Sequence, residues 1–381
     1  MSVTTIGVDP HKASNTIAAL DGDETVLVNE RFENSETGFD EMVETTAVFG
    51  ERLWAVEGAF GVGLSVGQRL VAAGEVVVDV PAKLATQVRV YSAGHGRKTD
   101  AHDAVSIAKA ALHAKRLRRV TLDGDRVALK LLVDRRRELV SARTQAACRL
   151  HRLLRELIPG GARRELSTTT ARAMLDGVCA LGPAGEMRVE LASEHIADIE
   201  RLELRLDEIG AQITAMVKAT NTTVTRIFGV GFLSAGVILS EVGDVARFPS
   251  RDHLASYAGT APIDVSSGDT PRHRLSRAGN RQLNSAIHVA AIVQIRHDTP
   301  GRDYYRRKQL AGKSKREALR CLKRRITDAI WRQLQIDAQL EPEHQDQSWP
   351  RWPSTRGTSP KYLSPATPRA NGLAMQPRPA A

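Results

Sequence analysis

Cysteine is scarce in this 381-residue chain: Cys148, Cys179 and Cys321 are odd in number and far apart. That spacing excludes a disulfide framework and offers no zinc-binding pattern. Aromatic residues are also few, 4% of the sequence, too sparse for a protein that stacks single-stranded bases on aromatic platforms. No apolar run approaches the ~20 residues needed to span a bilayer. The opening MSVTTIGVDP enters a strand pattern directly, without the charged and apolar regions of an export signal. A cytoplasmic protein with no membrane partner is therefore expected. Zinc-finger, RNP and basic-zipper patterns are missing too, so none of those devices reads bases here.

What the chain does have is positive charge and enough apolar residues for real cores. Lys and Arg number 54 against 44 Asp and Glu, a formal charge of +10, and 42% of residues are hydrophobic. A strongly basic chain points to a polyanionic partner, and contact through Arg and Lys makes binding salt dependent. The length predicts two folded domains joined by helices.

Short β-branched runs at 3–8, 16–20 and 25–28 predict three consecutive strands. Ser35 opens a helical pattern, and buried strands at 53–56 and 75–80 flank a helix over 62–73. This order predicts a mixed sheet with helices packed on it, an α/β domain over residues 1–120. Residues 103–113 are helical in pattern. Apolar residues at three- and four-residue spacing then predict two long helices, 126–157 and 186–218, within a helical region spanning 121–220. Such helices form coiled-coil arms for self-association or pack as a linker on their own domain. Residues 221–340 form a mostly α-helical third region. It opens with Arg226-Ile-Phe-Gly-Val-Gly-Phe-Leu-Ser-Ala-Gly, read as a helix, a glycine turn and a second helix. A helix–hairpin–helix of this kind presents backbone N–H groups to a phosphate. Residues 341–381, rich in Pro, Ser, Arg and Gly, predict a disordered basic tail.

Four carboxylates stand out. Asp9 and Glu57 each end an apolar strand, and Asp100 and Asp103 sit three residues apart at a helix start. A carboxylate beside a core costs free energy unless something pairs with it, and i, i+3 acids share a helix face. Singly, each acid can cap a turn or favour a helix dipole. Together in strand, strand, helix order on a basic chain, they can hold two Mg²⁺ ions for phosphoryl transfer.

The segments Ile6-Gly-Val-Asp9-Pro-His-Lys, Ala55-Val-Glu57-Gly and Lys98-Thr-Asp100-Ala-His-Asp103-Ala resemble the DEDD motifs of insertion-sequence-110 family transposases. The resemblance implies an RNase H-like, RuvC-like catalytic domain. It also implies Asp9, Glu57, Asp100 and Asp103 as Mg²⁺ ligands, with Lys12 and Lys98 able to contact phosphate or to stay solvated. It extends over residues 226–291, where Gly229-Val-Gly231, Leu239-Ser-Glu-Val-Gly-Asp244, Leu254-Ala-Ser-Tyr-Ala-Gly-Thr-Ala-Pro262 and Ser276-Arg-Ala-Gly-Asn-Arg281 follow the family's order. There it implies a serine nucleophile before a glycine: Ser267, with Ser266 adjoining.

A serine hydroxyl needs activation, and no partnered base stands near Ser267 in the sequence. Glycine beside it lets a backbone approach phosphate, and Arg272, Arg274, Arg277 and Arg281 can neutralise DNA around it. The family further implies double-stranded DNA (element ends and target) as substrate, a structured noncoding bridge RNA as guide, a homo-oligomer (dimer or tetramer), and a bacterial, nucleoid-associated location. A guide RNA agrees with the missing readout motifs. Two other readings compete: a RuvC-like junction resolvase using water, and a non-catalytic nucleic-acid-binding protein.

Overall fold

The computed structural model describes residues 3–91, 100–114, 116–264, 273–274 and 279–340, with side chains at 89, 91, 100, 264, 273 and 274 outside the description. The first part is a six-stranded sheet: β1 (Thr4–Pro10), β2 (Ser14–Leu20), β3 (Val26–Glu33), β4 (Arg52–Glu57), β5 (Val76–Val80) and β6 (Arg118–Arg119). Its order is β3-β2-β1-β4-β5-β6. β1, β2 and β3 run antiparallel, whereas β4 and β5 continue from β1 in parallel. Three antiparallel strands followed by two parallel ones is the strand order of the RNase H-like fold expected from the sequence.

Helices α1 (Glu36–Thr46), α2 (Leu64–Ala72), α3 (Ala82–Tyr91) and α4 (Asp100–His113) pack on this sheet. Ser35 caps α1 by accepting from the Gly38 N–H, the start signal legible in the sequence. Alternation along the strands sorts two cores. Ile6, Val8, Trp54 and Val56 meet Met42 of α1 and Val66 and Leu70 of α2. The opposite face carries Ala18, Leu20 and Ala55, which meet Ala104, Ile107 and Ala108 of α4.

Gly7 lies on that second face and sets how close α4 comes. A Cβ there would sit 2.2 Å from the Ala104 carbonyl oxygen and 2.6 Å from the Ala108 nitrogen. The direction of α4 follows from its ion pairs. Lys109 and His113, near its C-terminus, reach Glu24 at 2.8 and 2.6 Å. Glu24 lies between β2 and β3, at the edge where β1 begins. The N-terminus of α4 therefore lies over the edge where β1 and β4 end.

Helices α5 (Asp125–Leu157) and α7 (Gly182–Ala219) form an antiparallel hairpin, close to the two long helices predicted. Leu129 and Val133 share a core with Ile213 and Val217 at one end. Ala146, Leu150 and Leu153 pack with Ala192, Ile196 and Ile199 at the other. Arg143 and Glu203 pair between them. A short helix unseen in the sequence pattern, α6 (Thr168–Asp176), closes the tip with Ala171 and Leu175. Pro159 and the positive-φ pair Gly160 and Gly161 end α5.

The base of the hairpin joins α8 (Phe232–Val242), α9 (Arg251–Tyr257), α10 (Arg281–Arg296), α11 (Pro300–Leu310) and α12 (Lys315–Leu340) in one core. A two-residue ladder, β7 (Ile263–Asp264) with β8 (His273–Arg274), is its only strand pair among the described residues. The approach to the glycine turn differs from the α-helix expected there. The chain enters it through a 3₁₀ turn at Thr223–Arg226, because Asp337 of α12 takes hydrogen bonds from both the N–H and the hydroxyl of Thr223. Gly229 (φ +86°) then presses on α10, where an added Cβ would lie 2.8 Å from the Ala290 oxygen. Gly231 leads into α8. Residues 341–381, expected as a tail, lie outside the described residues.

Candidate active site

Asp9 follows Val8 and Glu57 follows Val56, and Val8 and Val56 are register partners on parallel neighbouring strands. The two acids therefore stand side by side at the ends of β1 and β4, on the face that α4 covers. Asp9 is 5% exposed and Glu57 half-buried. Above them the first turns of α4 carry Asp100 and Asp103. Asp103 is one turn before Ile107, which packs over Ala55, two residues from Glu57. The loop after β4 folds back onto both strand ends, since a Cβ on Gly63 would fall 2.7 Å from the Glu57 carbonyl and 3.2 Å from Pro10.

Two neighbours of Asp9 were not singled out in the sequence. His11 places Nε2 3.2 Å from Asp9 Oδ2. Thr16 is its register partner on β2, and its buried Oγ1 has no hydrogen-bond partner among the described residues. The donors at this edge are hard oxygens, the class Mg²⁺ takes, and the unfilled hydroxyl beside a buried carboxylate fits a hydrated cation, which keeps several waters. Among the described residues no three His, Cys, Asp or Glu side chains form a metal centre on their own; the side chain of Asp100 is outside them. Lys12 is exposed on the β1–β2 turn, which Asn34 ties by donating to the carbonyls of His11 and Lys12. Lys98 lies outside the described residues.

Ser266 and Ser267, with Arg272 and Arg277, also lie outside the described residues; Arg274 is described in backbone only. What the structure does show is how the flanks of this segment are held. Asn280 caps α10 through the Leu283 N–H and donates to Glu241 Oε2 at 2.5 Å and to the Tyr257 hydroxyl at 3.0 Å. Glu241, 8% exposed, also receives Lys130 at 2.8 Å. Gly279 (φ +107°) lies so close to Gly259 that a Cβ would sit 2.7 Å from its nitrogen. The two flanks therefore meet in backbone contact at one point, Gly259 against Gly279. Arg281, exposed, is the first residue of α10 beside it.

Beneath that point Asn284 donates to the carbonyl oxygens of Ala258 (2.6 Å) and Gly259 (3.3 Å), and its own oxygen accepts from Lys323 of α12. Glu241 could have been found as the lone acid in an apolar helix. Lys323 sits in a basic run and carries no such signal.

Two family profiles match the chain: one described as Transposase over residues 6–159, another as Transposase IS116/IS110/IS902 family over residues 221–306. Together they span well over half of it. The chain is 27% identical to the insertion element IS900 uncharacterized 42 kDa protein of Mycobacterium paratuberculosis, across 88% of this chain and 96% of that one. It is also 27% identical to the insertion element IS116 uncharacterized 44.8 kDa protein of Streptomyces clavuligerus, across 86% and 94%. Among solved structures, T. thermophilus RuvC in complex with Holliday junction substrate matches 31% of this chain and 99% of its own at 20% identity, with a TM-score of 0.25. The fold assignment rests on the strand order and not on that superposition.

The class is thus a DNA transposase/recombinase whose first domain is RNase H-like. Within it, the chain belongs to the IS116/IS110/IS902 family of insertion-element transposases. No described helix is long and apolar enough to cross a membrane.

Proposed function

We propose that the protein cuts and rejoins double-stranded DNA at element ends and target, with Ser267 as nucleophile and Asp9, Glu57, Asp100 and Asp103 as the residues that hold Mg²⁺. The observation that carries this reading is the pairing of Asp9 with Glu57 under the first turns of α4. When bound, Mg²⁺ supplies polarisation of the scissile phosphate and stabilises charge on its oxygens.

The chain's own groups do the rest. The Ser267 hydroxyl oxygen forms an ester with the DNA phosphorus as the bond to the leaving deoxyribose oxygen breaks. That ester conserves the bond for rejoining. Lys12, Lys98, Arg272, Arg274, Arg277 and Arg281, each close in sequence to one of these groups, neutralise DNA phosphates. A structured noncoding RNA supplies sequence choice, in keeping with the missing readout motifs. A dimer or tetramer brings the acids of one subunit to the serine of another. Gly231, at the start of α8, can turn backbone N–H groups towards phosphate.

The test is a Mg²⁺-dependent cleavage assay on element-end DNA with the element's flanking noncoding RNA, resolved on a denaturing gel. Wild type is expected to leave protein covalently attached to DNA, and Ser267→Ala to abolish the adduct together with strand exchange. Cleavage by Ser267→Ala at the wild-type rate, with no adduct in either, removes Ser267 from the mechanism and assigns a hydrolytic resolvase.

A further inference from the structure

The densest charge in the chain lies on α11 and the first half of α12. Residues 302–325 hold eleven Lys and Arg against two acids, Asp303 and Glu317, a net +9 beside +10 for the whole chain. Helix α5 is also basic, but its cations are answered: Lys130 by Asp134 and Glu241, Arg135 by Glu138, Arg143 by Glu203 and Arg152 by Glu156. On α11 and α12 the acids within reach meet Arg302, Arg320, Arg324 and Arg325. Among the described residues Arg306, Arg307, Lys308, Lys313, Lys315 and Arg316 have no ion pair, and all but the half-buried Lys308 are exposed.

The fold concentrates these cations further. Gly312 (φ +83°) turns the chain after α11, its N–H donating to the Gln309 oxygen and that of Lys313 to the Lys308 oxygen. Two residues on, Ser314 and Glu317 close the start of α12 as a capping box, each side chain accepting from the other's N–H. Arg325 of α12 then reaches the ring of Tyr304 on α11 at 5.7 Å, so the second helix runs back along the first. Arg307 and Lys308 approach the same ring, at 6.0 and 5.4 Å. Gathering like charges at one corner costs free energy, which an anion laid across them recovers.

Their spread decides which anion. Helix α11 alone has 11 residues, roughly 16 Å at 1.5 Å per residue. A lone phosphate answers one or two of these cations, whereas a polymer of phosphates answers the whole corner. Duplex DNA carries one charge per ~1.7 Å of axis, and it is the polyanion that the reaction of a DNA transposase requires. Tyr304 and Tyr305 are half-buried, so neither offers a free ring for an unpaired base.

We propose that the α11–α12 corner is a sequence-independent DNA-holding surface, on which Arg306, Arg307, Lys313, Lys315 and Arg316 lie along the backbone of duplex DNA. This surface goes beyond the cutting and rejoining proposed above and depends on neither the serine nor the metal.

Binding of the full-length protein to a mixed-sequence duplex, without Mg²⁺ or RNA and over a range of salt, measures it. Changing all five residues to glutamine removes charge and keeps good helix formers. The slope of log affinity against log salt is expected to fall by about 4 units, since each phosphate contact contributes about 0.9. Exchanging Arg for Lys and Lys for Arg at the same positions should keep the slope. A second quintuple variant separates local contact from net charge: Arg135→Gln, Arg137→Gln, Arg152→Gln, Arg201→Gln and Arg205→Gln. These exposed cations of the α5–α7 hairpin are already paired with acids, and their loss should change the slope by less than about one unit.

An unchanged slope in the corner variant, or equal losses in the two variants, overturns the proposal. So does loss of binding to a structured RNA hairpin with the duplex slope intact, which assigns the corner to RNA. The corner variant should melt no lower than wild type, because mutually repelling charges have gone. If it melts lower, Arg306→Gln and Arg316→Gln carry the test singly, each expected to lower the slope by about one unit. A wild type that forms no adduct through Ser267 leaves this binding result unaffected, so the two readings fail separately.

Discussion

Replacing Asp9 with asparagine is expected to abolish Mg²⁺-dependent strand cleavage, a loss on the order of a thousandfold or more, as when one member of a catalytic unit is removed. The substitution keeps the shape of the side chain and removes only its charge. Asp9 is almost fully buried, beside Glu57 and across from the unfilled Thr16 hydroxyl. Asp9→Asn also weakens the contact with His11 Nε2, 3.2 Å from Asp9 Oδ2, so a metal-free melt of the variant serves as the check that it folds. Mg²⁺ should then stabilise wild type in a thermal melt and leave Asp9→Asn unmoved. DNA binding without metal should persist, because it depends on the basic residues. Cleavage at the wild-type rate by Asp9→Asn would remove the sheet edge from the chemistry and favour a protein that only binds nucleic acid.

Gly7→Val is expected to destabilise the protein by about 3 kcal/mol or more, at the upper end of overpacking costs. The reason is that the obstacle is backbone. The Ala104 oxygen at 2.2 Å and the Ala108 nitrogen at 2.6 Å cannot rotate away as a side chain would. To make room, α4 must lift off β1, and Asp100 and Asp103 lift with it. Chemical denaturation checks the stability, and the cleavage assay checks the site. Cleavage should suffer more than stability alone predicts, because displacement of about 1 Å costs a catalytic constellation on the order of a hundredfold. Gly67, on the opposite face, offers the control: its Cβ meets only ordinary contacts near 3.8 Å. Gly67→Ala should leave both properties nearly intact.

Elements whose signal is local were legible in the sequence. The β-branched runs around Val8 and Val56 became β1 and β4, Ser35 became a cap, and the spacing of Leu129 and Val133 marked a face of α5. Elements that exist through distant partners were not. Two arginines, Arg118 and Arg119, form β6 only because β5 offers a free edge, and Arg118 stacks 3.7 Å over the ring of Phe60. The 3₁₀ turn before Gly229 depends on Asp337, more than a hundred positions away. The same division holds at the site. Acids at strand ends and at a helix start are visible one by one, but their gathering depends on Gly7 and on the direction of α4. The hydrogen-bonded group of Glu241, Tyr257 and Asn280, and Lys323 beneath it, joins four separate stretches of chain that no periodicity links.

Among the described residues, the α5–α7 hairpin is anchored at one end: its base shares the core of the third region, while its tip packs with α6. A helix of 33 residues, the length of α5, reaches roughly 50 Å at 1.5 Å per residue. The hairpin is therefore a ruler, and its length is separable from the chemistry at its root. Excising seven residues from each leg, centred on the Arg143–Glu203 rung, shortens it by about 10 Å and turns each remaining face by only about 20°. Such a protein should fold and still bind DNA. It would lose strand exchange only where two copies, or two DNA duplexes, must be held a fixed distance apart.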